Sequence, residues 1–194
     1  MKKVFTIACF LVIIDQLLKI WIKTNFYLGE EIRIFDWFII HFTENNGMAF
    51  GFEFGGFHGK TILTISRIII IFLAIRYLNG FVSKKSPYGL LVCLGLILGG
   101  AVGNVIDSTF YGLIFEESYN NISSAFVEDG GYAPLLHGKV VDMFYFPIIN
   151  CHIPSWMPIW GGEHFIFFRP VFNLADAGIS IGVITILLFY RRFF

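Results

Sequence analysis

Four stretches of this 194-residue chain are apolar over roughly the twenty residues that an α-helix needs to cross a bilayer: about 4–24, 61–78, 88–111 and 171–190. The third holds an uncharged run from Tyr88 to Ile106, and the fourth one from Ala177 to Tyr190; the second carries Arg67. Composition agrees with that reading. Apolar residues make up 56% and charged residues 14%, and there are 24 Phe, the profile of a chain whose outer face is solvated by lipid. The expectation is an all-α membrane protein: one domain, residues 1–194, with four transmembrane helices. Met1-Lys2-Lys3 followed by an apolar run resembles a cleavable leader, but Asp15 and Lys19 interrupt it and no small-x-small site follows, so a retained helix is expected.

Charge gives the orientation. Lys2, Lys3, Arg76, Lys84, Lys85, Arg191 and Arg192 fall at the N-terminus, the second connection and the C-terminus, where none of the 14 acidic residues lies. By the positive-inside rule both termini are cytoplasmic, and residues 25–60 and 112–170 lie outside. The first outer segment is rich in aromatic and β-branched residues from Ile32 to Phe42, which predicts a small β-rich segment on the outer surface. The second is an extended outer loop, polar over 116–131, then aromatic with Trp156, Trp160, Phe165, Phe167 and Phe168, suited to the headgroup zone.

Gly95, Gly99 and Gly103, spaced by four, share one face of the third helix and predict close approach of a neighbour. The three cysteines build no disulfide framework; Cys9 and Cys93 sit in apolar runs as small hydrophobes. A net charge of zero gives no case for nucleic acid.

Ionisable groups in membrane helices are costly, so each calls for a reason. Asp15 and Lys19, acid first and four apart, form a pair on one helix face. Asn104 and Asp107, and again Asn173 and Asp176, are three apart and project from single faces near the outer ends of their helices. Asp142 lies in the outer segment between apolar neighbours, a local pattern that also fits a surface acid. Two carboxylates brought together at a water–lipid boundary share one proton. The ionised one can then activate water while the neutral one protonates the substrate. The five His are scattered without zinc spacing, and no GxSxG elbow or phosphate loop occurs; no metal and no cofactor are expected. A small membrane transporter or channel, with Asp and Asn lining an ion path, is the alternative of another class, and a noncatalytic assembly factor a third.

Five motifs in order resemble the lipoprotein signal peptidase (signal peptidase II) family over nearly the whole chain. They are Asp15-Gln16-x-x-Lys19, Asn45-x-Gly47-x-Ala49-Phe50, Gly99-Gly100-Ala101-x-Gly103-Asn104-x-x-Asp107, Val140-Val141-Asp142 and Phe172-Asn173-x-Ala175-Asp176. The resemblance implies an aspartic endopeptidase of the bacterial cytoplasmic (inner) membrane that cuts diacylglyceryl-modified prolipoproteins before the lipidated cysteine. It assigns catalysis to Asp142 and Asp176 and supporting roles to Asp15, Lys19, Asn45, Gly47, Asn104, Asp107 and Asn173. It further implies sensitivity to globomycin, contact with membrane lipid and a chain that works as a monomer. Two features depart from the pattern. Ser108 stands where many members have Arg, and Arg67 is expected to replace that charge beside Asp107. The outer segments 115–137 and 148–169 are longer than usual.

Overall fold

The computed structural model of the protein describes residues 1–47, 56–83, 85–126 and 130–194. Its four long helices are α1 (Lys2–Asn25), α2 (Gly56–Phe81), α3 (Tyr88–Ile114) and α4 (Leu174–Phe193), each long and apolar enough to cross a membrane. Phe10, Leu17, Ile69, Phe72 and Leu188 point outward, exposed, as residues solvated by lipid do. The third helix is the centre of the bundle: 50% of its apolar stretch is buried, against 11% for α2.

Glycine makes that centre possible. A Cβ at Gly99 would lie 2.8 Å from the Ala8 carbonyl oxygen, and one at Gly95 2.7 Å from Ile7, so both face α1. Gly103 completes the stripe, its open side 2.8 Å from the Asp15 carboxylate. From α4, Gly178 and Gly182 meet Leu11 and Ile97 in the same manner. The backbones approach because these positions carry no side chain. Near its end α3 loosens into a π-helical turn over Asp107–Tyr111, in which Asp107 and Ser108 are buried. Such turns add a residue to a helix and re-aim the side chains around it.

The connections on one side of the bundle form β-structure. An antiparallel sheet has the order β1-β2-β3-β6, built from β1 (Glu31–Phe35), β2 (Phe38–Asn45), β3 (Val140–Tyr145) and β6 (Val171–Phe172). A separate hairpin joins β4 (Ile149–His152) to β5 (His164–Phe167). Phe38, Phe144, Phe146 and Phe172 pack across the four-stranded sheet, where cross-strand aromatic pairs help to fix register. Thr43 pairs with Asp142, and Asn45 with Val140, which puts the Asn45 and Asp142 side chains on one face as diagonal neighbours.

The fourth helix begins at Leu174, not at 171 as its hydropathy predicts: Val171 and Phe172 pair with Tyr145 and Phe144, and Asn173 caps the helix. The second outer segment, expected as an extended loop, therefore contributes two strands to the sheet. Two apolar clusters bracket the bundle, one with Val4, Leu90, Leu94 and Leu98, the other with Ile22, Phe42, Tyr111, Val141 and Met143.

Candidate active site

Between the two apolar clusters lies a polar layer that contains two aspartates. The first, Asp142 on β3, is 3% exposed, so it is not the surface acid that its local pattern alone favours. The second, Asp176, sits in the first turn of α4, where the Asn173 side chain accepts from its backbone N–H at 2.9 Å. The Asp176 carboxylate in turn accepts from the Asn173 backbone N–H at 3.4 Å. This reciprocal capping box fixes the entry of α4.

Two asparagine amides link the two acids, and a third holds Asp142. Asn173 Nδ2 donates to Asp142 Oδ1 at 2.7 Å, and Asn104 Nδ2 to Asp176 Oδ1 at 2.7 Å. Asn173 Nδ2 also reaches Asn104 Oδ1 at 3.1 Å, which joins the two halves. From β2, Asn45 Nδ2 donates to the other Asp142 oxygen, Oδ2, at 3.3 Å. Burial, and after it the charge of Asp176, pushes the Asp142 carboxyl up to about 7; the Asn45 and Asn173 hydrogen bonds pull the other way. Neighbouring carboxylates disfavour double ionisation in this manner.

A second layer supports the first. Lys19 Nζ meets Asp15 Oδ2 at 2.8 Å, Asp107 Oδ2 at 2.7 Å and Asn104 Oδ1 at 2.8 Å. The contact with Asn104 is a hydrogen bond, while those with Asp15 and Asp107 are ion pairs that balance the two buried charges. The remaining Asp15 oxygen accepts from the Ala175 backbone N–H at 2.9 Å, one of the donors that a helix start leaves without an intrahelical partner. The first helix thereby holds α4 in place one residue before Asp176.

Gln16 belongs to this layer as well, although sequence reading gave it no role. Its Nε2 donates to Asp107 Oδ1 at 2.7 Å, and its Oε1 accepts from Tyr111 Oη at 3.2 Å. Its place beside Asp15 in the first motif was the available signal.

The expectation that Arg67 partners Asp107 is incorrect. Lys19 is the cation on Asp107, while the Arg67 guanidinium donates to the Gly47 carbonyl. Ser108, in the position of the missing Arg, donates to Asn104 O at 3.0 Å. Gly47 is placed by its own N–H, which donates to Asn45 Oδ1 at 2.7 Å. Ala49 and Phe50, the rest of that motif, lie outside the described residues.

Beside this centre is a second buried ion cluster that sequence reading missed. Lys23 Nζ donates to Glu44 and, at 2.7 Å, to Ser118 Oγ. Lys139 reaches Glu44 at 3.3 Å and Glu117 at 2.7 Å. Burial would raise the Glu44 carboxyl, but the Lys23 charge and the hydrogen bonds around it hold it below its ordinary value. Asp15, Lys19 and Lys23 recur every fourth residue on one face of α1, a spacing that marked Lys23 as turned inward.

The sequence profile of the Signal peptidase (SPase) II family matches residues 7–192. A lipoprotein signal peptidase of Porphyromonas gingivalis is 48% identical over 192 residues, covering 98% of this chain and 84% of the relative. One of Amoebophilus asiaticus is 39% identical over 190 residues, covering 96% and 76%. The fold is similar to that of a bacterial membrane enzyme solved by the in meso method at 2.3 Å resolution, with a TM-score of 0.64, 25% identity, and coverage of 99% of this chain and 89% of the other. A second such enzyme, at 1.9 Å, gives a TM-score of 0.61 at 26% identity, with 97% and 92% covered.

Proposed function

Since the chain belongs to the signal peptidase II family, we propose that it is a membrane-embedded aspartic endopeptidase that removes signal peptides from diacylglyceryl-modified prolipoproteins, cutting before the lipidated cysteine. The observation that supports the aspartic mechanism is the amide network in which Asn104 and Asn173 link Asp142 to Asp176.

With its carboxyl raised to about 7, Asp142 keeps the shared proton through much of the neutral range, and its partner Asp176 serves as the base. Asp176 takes a proton from water as the water oxygen adds to the scissile carbonyl carbon. Asp142 gives its proton to the carbonyl oxygen. The tetrahedral diol then collapses: its C–N bond breaks, the leaving amine takes the proton held by Asp176, and a hydroxyl proton returns to Asp142. No covalent intermediate forms. The Lys19–Asp15–Asp107 layer holds Asn104 and the start of α4, so it acts by positioning.

The same reading gives the placement in the membrane. Lys2, Lys3, Arg76, Lys85, Arg191 and Arg192 mark the cytoplasmic end, with both termini there. The aspartates and the four-stranded sheet then belong to the outer face of the bacterial cytoplasmic membrane. A signal peptide is an apolar helix, and its lipidated cysteine reaches the outer boundary of the bilayer, the depth of this pair. The chain works as one domain and as a monomer, and globomycin competes for the site. Clustering of the polar residues at one end argues against a transmembrane ion path.

The direct test incubates the purified protein in lipid micelles with a diacylglyceryl-modified prolipoprotein and with the same precursor lacking the lipid. The expected result is cleavage of the modified precursor alone, with mass spectrometry finding the lipidated cysteine as the new N-terminus. Cleavage elsewhere, or none, contradicts the reading.

A further inference from the structure

A cation within a membrane helix is costly and calls for a reason, and the chemistry above does not use Arg67. Its helix, α2, turns Ile62, Ile65, Ile69 and Phe72 outward. A different stripe, Thr61, Thr64 and Arg67, turns inward. Thr61 Oγ1 lies 3.0 Å from His137 Nε2, and Thr64 Oγ1 donates to the Leu136 carbonyl at 3.0 Å. One turn deeper, the Arg67 guanidinium donates to the Gly47 carbonyl.

Gly47 is shaped for that contact. Its φ is +92°, where residues with a Cβ are strained, and a Cβ there would lie 2.8 Å from Arg67 Nη1. A relay follows. Arg67 holds the carbonyl of Gly47, the Gly47 N–H holds Asn45 Oδ1 at 2.7 Å, and Asn45 Nδ2 is thereby aimed at Asp142 Oδ2, 3.3 Å away.

We propose that Arg67 is a positioning residue for the aspartate pair: clamped on the Gly47 carbonyl, it fixes the Asn45–Gly47 turn so that the Asn45 amide stays on Asp142. The proposal rests on the protease reading. It makes α2, otherwise the helix least packed into the bundle, part of the site.

The test measures kcat and KM for cleavage of a diacylglyceryl-modified prolipoprotein by the full chain and four variants: Arg67→Met, Arg67→Gln, Asn45→Ala, and Arg67→Met with Asn45→Ala. Arg67→Met is expected to lower kcat by about 10²-fold, the scale of an ångström-sized misplacement, with KM nearly unchanged. Arg67→Gln keeps an amide donor for the Gly47 carbonyl and recovers part of the rate. The double variant falls no further than the worse single one, because both act through one contact. If Arg67→Met does not fold, as thermal melting would reveal, the same cycle is run with Arg67→Gln. Multiplying losses in the double variant, a Gln variant as poor as Met, or a Met variant with wild-type kcat would each overturn the proposal. Absence of cleavage by the wild type would instead remove the protease reading beneath it.

Discussion

Lys19 and Lys23 are one turn apart on the same face of α1, and both are fully buried, yet they stabilise different things. Lys19 ties helix to helix, through ion pairs with Asp15 and Asp107 and a hydrogen bond to Asn104. Lys23 ties α1 to the second outer segment and the sheet, through Ser118 and Glu44. The acids around Lys19 have no second cation in reach among the described ion pairs, whereas Glu44 also meets Lys139. The first cluster holds the layer of Asn104 and the start of α4; the second holds the sheet and the segment around Ser118. A buried lysine on one helix face therefore has no fixed meaning. Its role follows from what the topology brings opposite.

The largest effect separates the two directly. Replacing Lys19 by Met leaves Asp15 and Asp107 buried without a cation, a loss of about 3–5 kcal/mol, and should abolish cleavage. Lys23→Met should cost less, about 1.5–3 kcal/mol, the scale of a charged hydrogen bond, because Lys139 remains on Glu44. Its cleavage rate should stay of the same order as wild type. Melting temperature and cleavage rate check both variants, and equal losses would erase the distinction.

Titration sharpens the contrast between Glu44 and Asp142. Glu44 is held below its ordinary value, so the unfolded chain binds the extra proton first. The stability it contributes is present above pH about 4.5 and is lost as pH falls through the lower folded value. Glu44→Gln should remove that part of the acid-side loss of melting temperature. Asp142 is raised from 3.8 to about 7, so the folded chain binds the extra proton, and the sign reverses. Stability declines as pH rises across that window, and Asp142→Asn should melt above wild type at pH 8. In the wild type the same group should give kcat/KM an alkaline limb with a midpoint at about 7.

The smallest effect belongs to Tyr132, whose ring lies 5.0 Å from Lys23 Nζ and 5.3 Å from Lys139 Nζ. Tyr132→Phe keeps the ring and removes only the hydroxyl that accepts from the Lys139 backbone N–H. It should cost about 0.5–1.5 kcal/mol, read as a small fall in melting temperature. A larger fall would mean that the hydroxyl does more than accept this bond.

What could be read in advance follows from range along the chain. Hydropathy is local, so all four helices were legible, and spacing on one helix was enough to pair Asp15 with Lys19. The sheet was legible only in its first hairpin. The third strand, β3, pairs with β2 across roughly a hundred residues, and β6 is two residues long, too short for any periodic signal. Its Val171 and Phe172 are apolar and merge with the helix that follows, which is why the start of α4 was placed too early. The Asn173-x-x-Asp176 capping pattern was the better marker. The partner of Arg67 was misjudged for the opposite reason. Charge alone suggested an acid, and the contact is a backbone carbonyl that only the turn at Gly47 brings into place.

The account depends most on Asp142 and Asp176 acting as one unit. The direct measurement compares kcat for cleavage of a lipid-modified prolipoprotein by Asp142→Asn, Asp176→Asn and the double variant, each shown to be folded. Each single change should lower kcat by about 10⁴-fold or more, and the double should fall no further. Cleavage retained by either single variant, or a double loss equal to the product of the two, would contradict it.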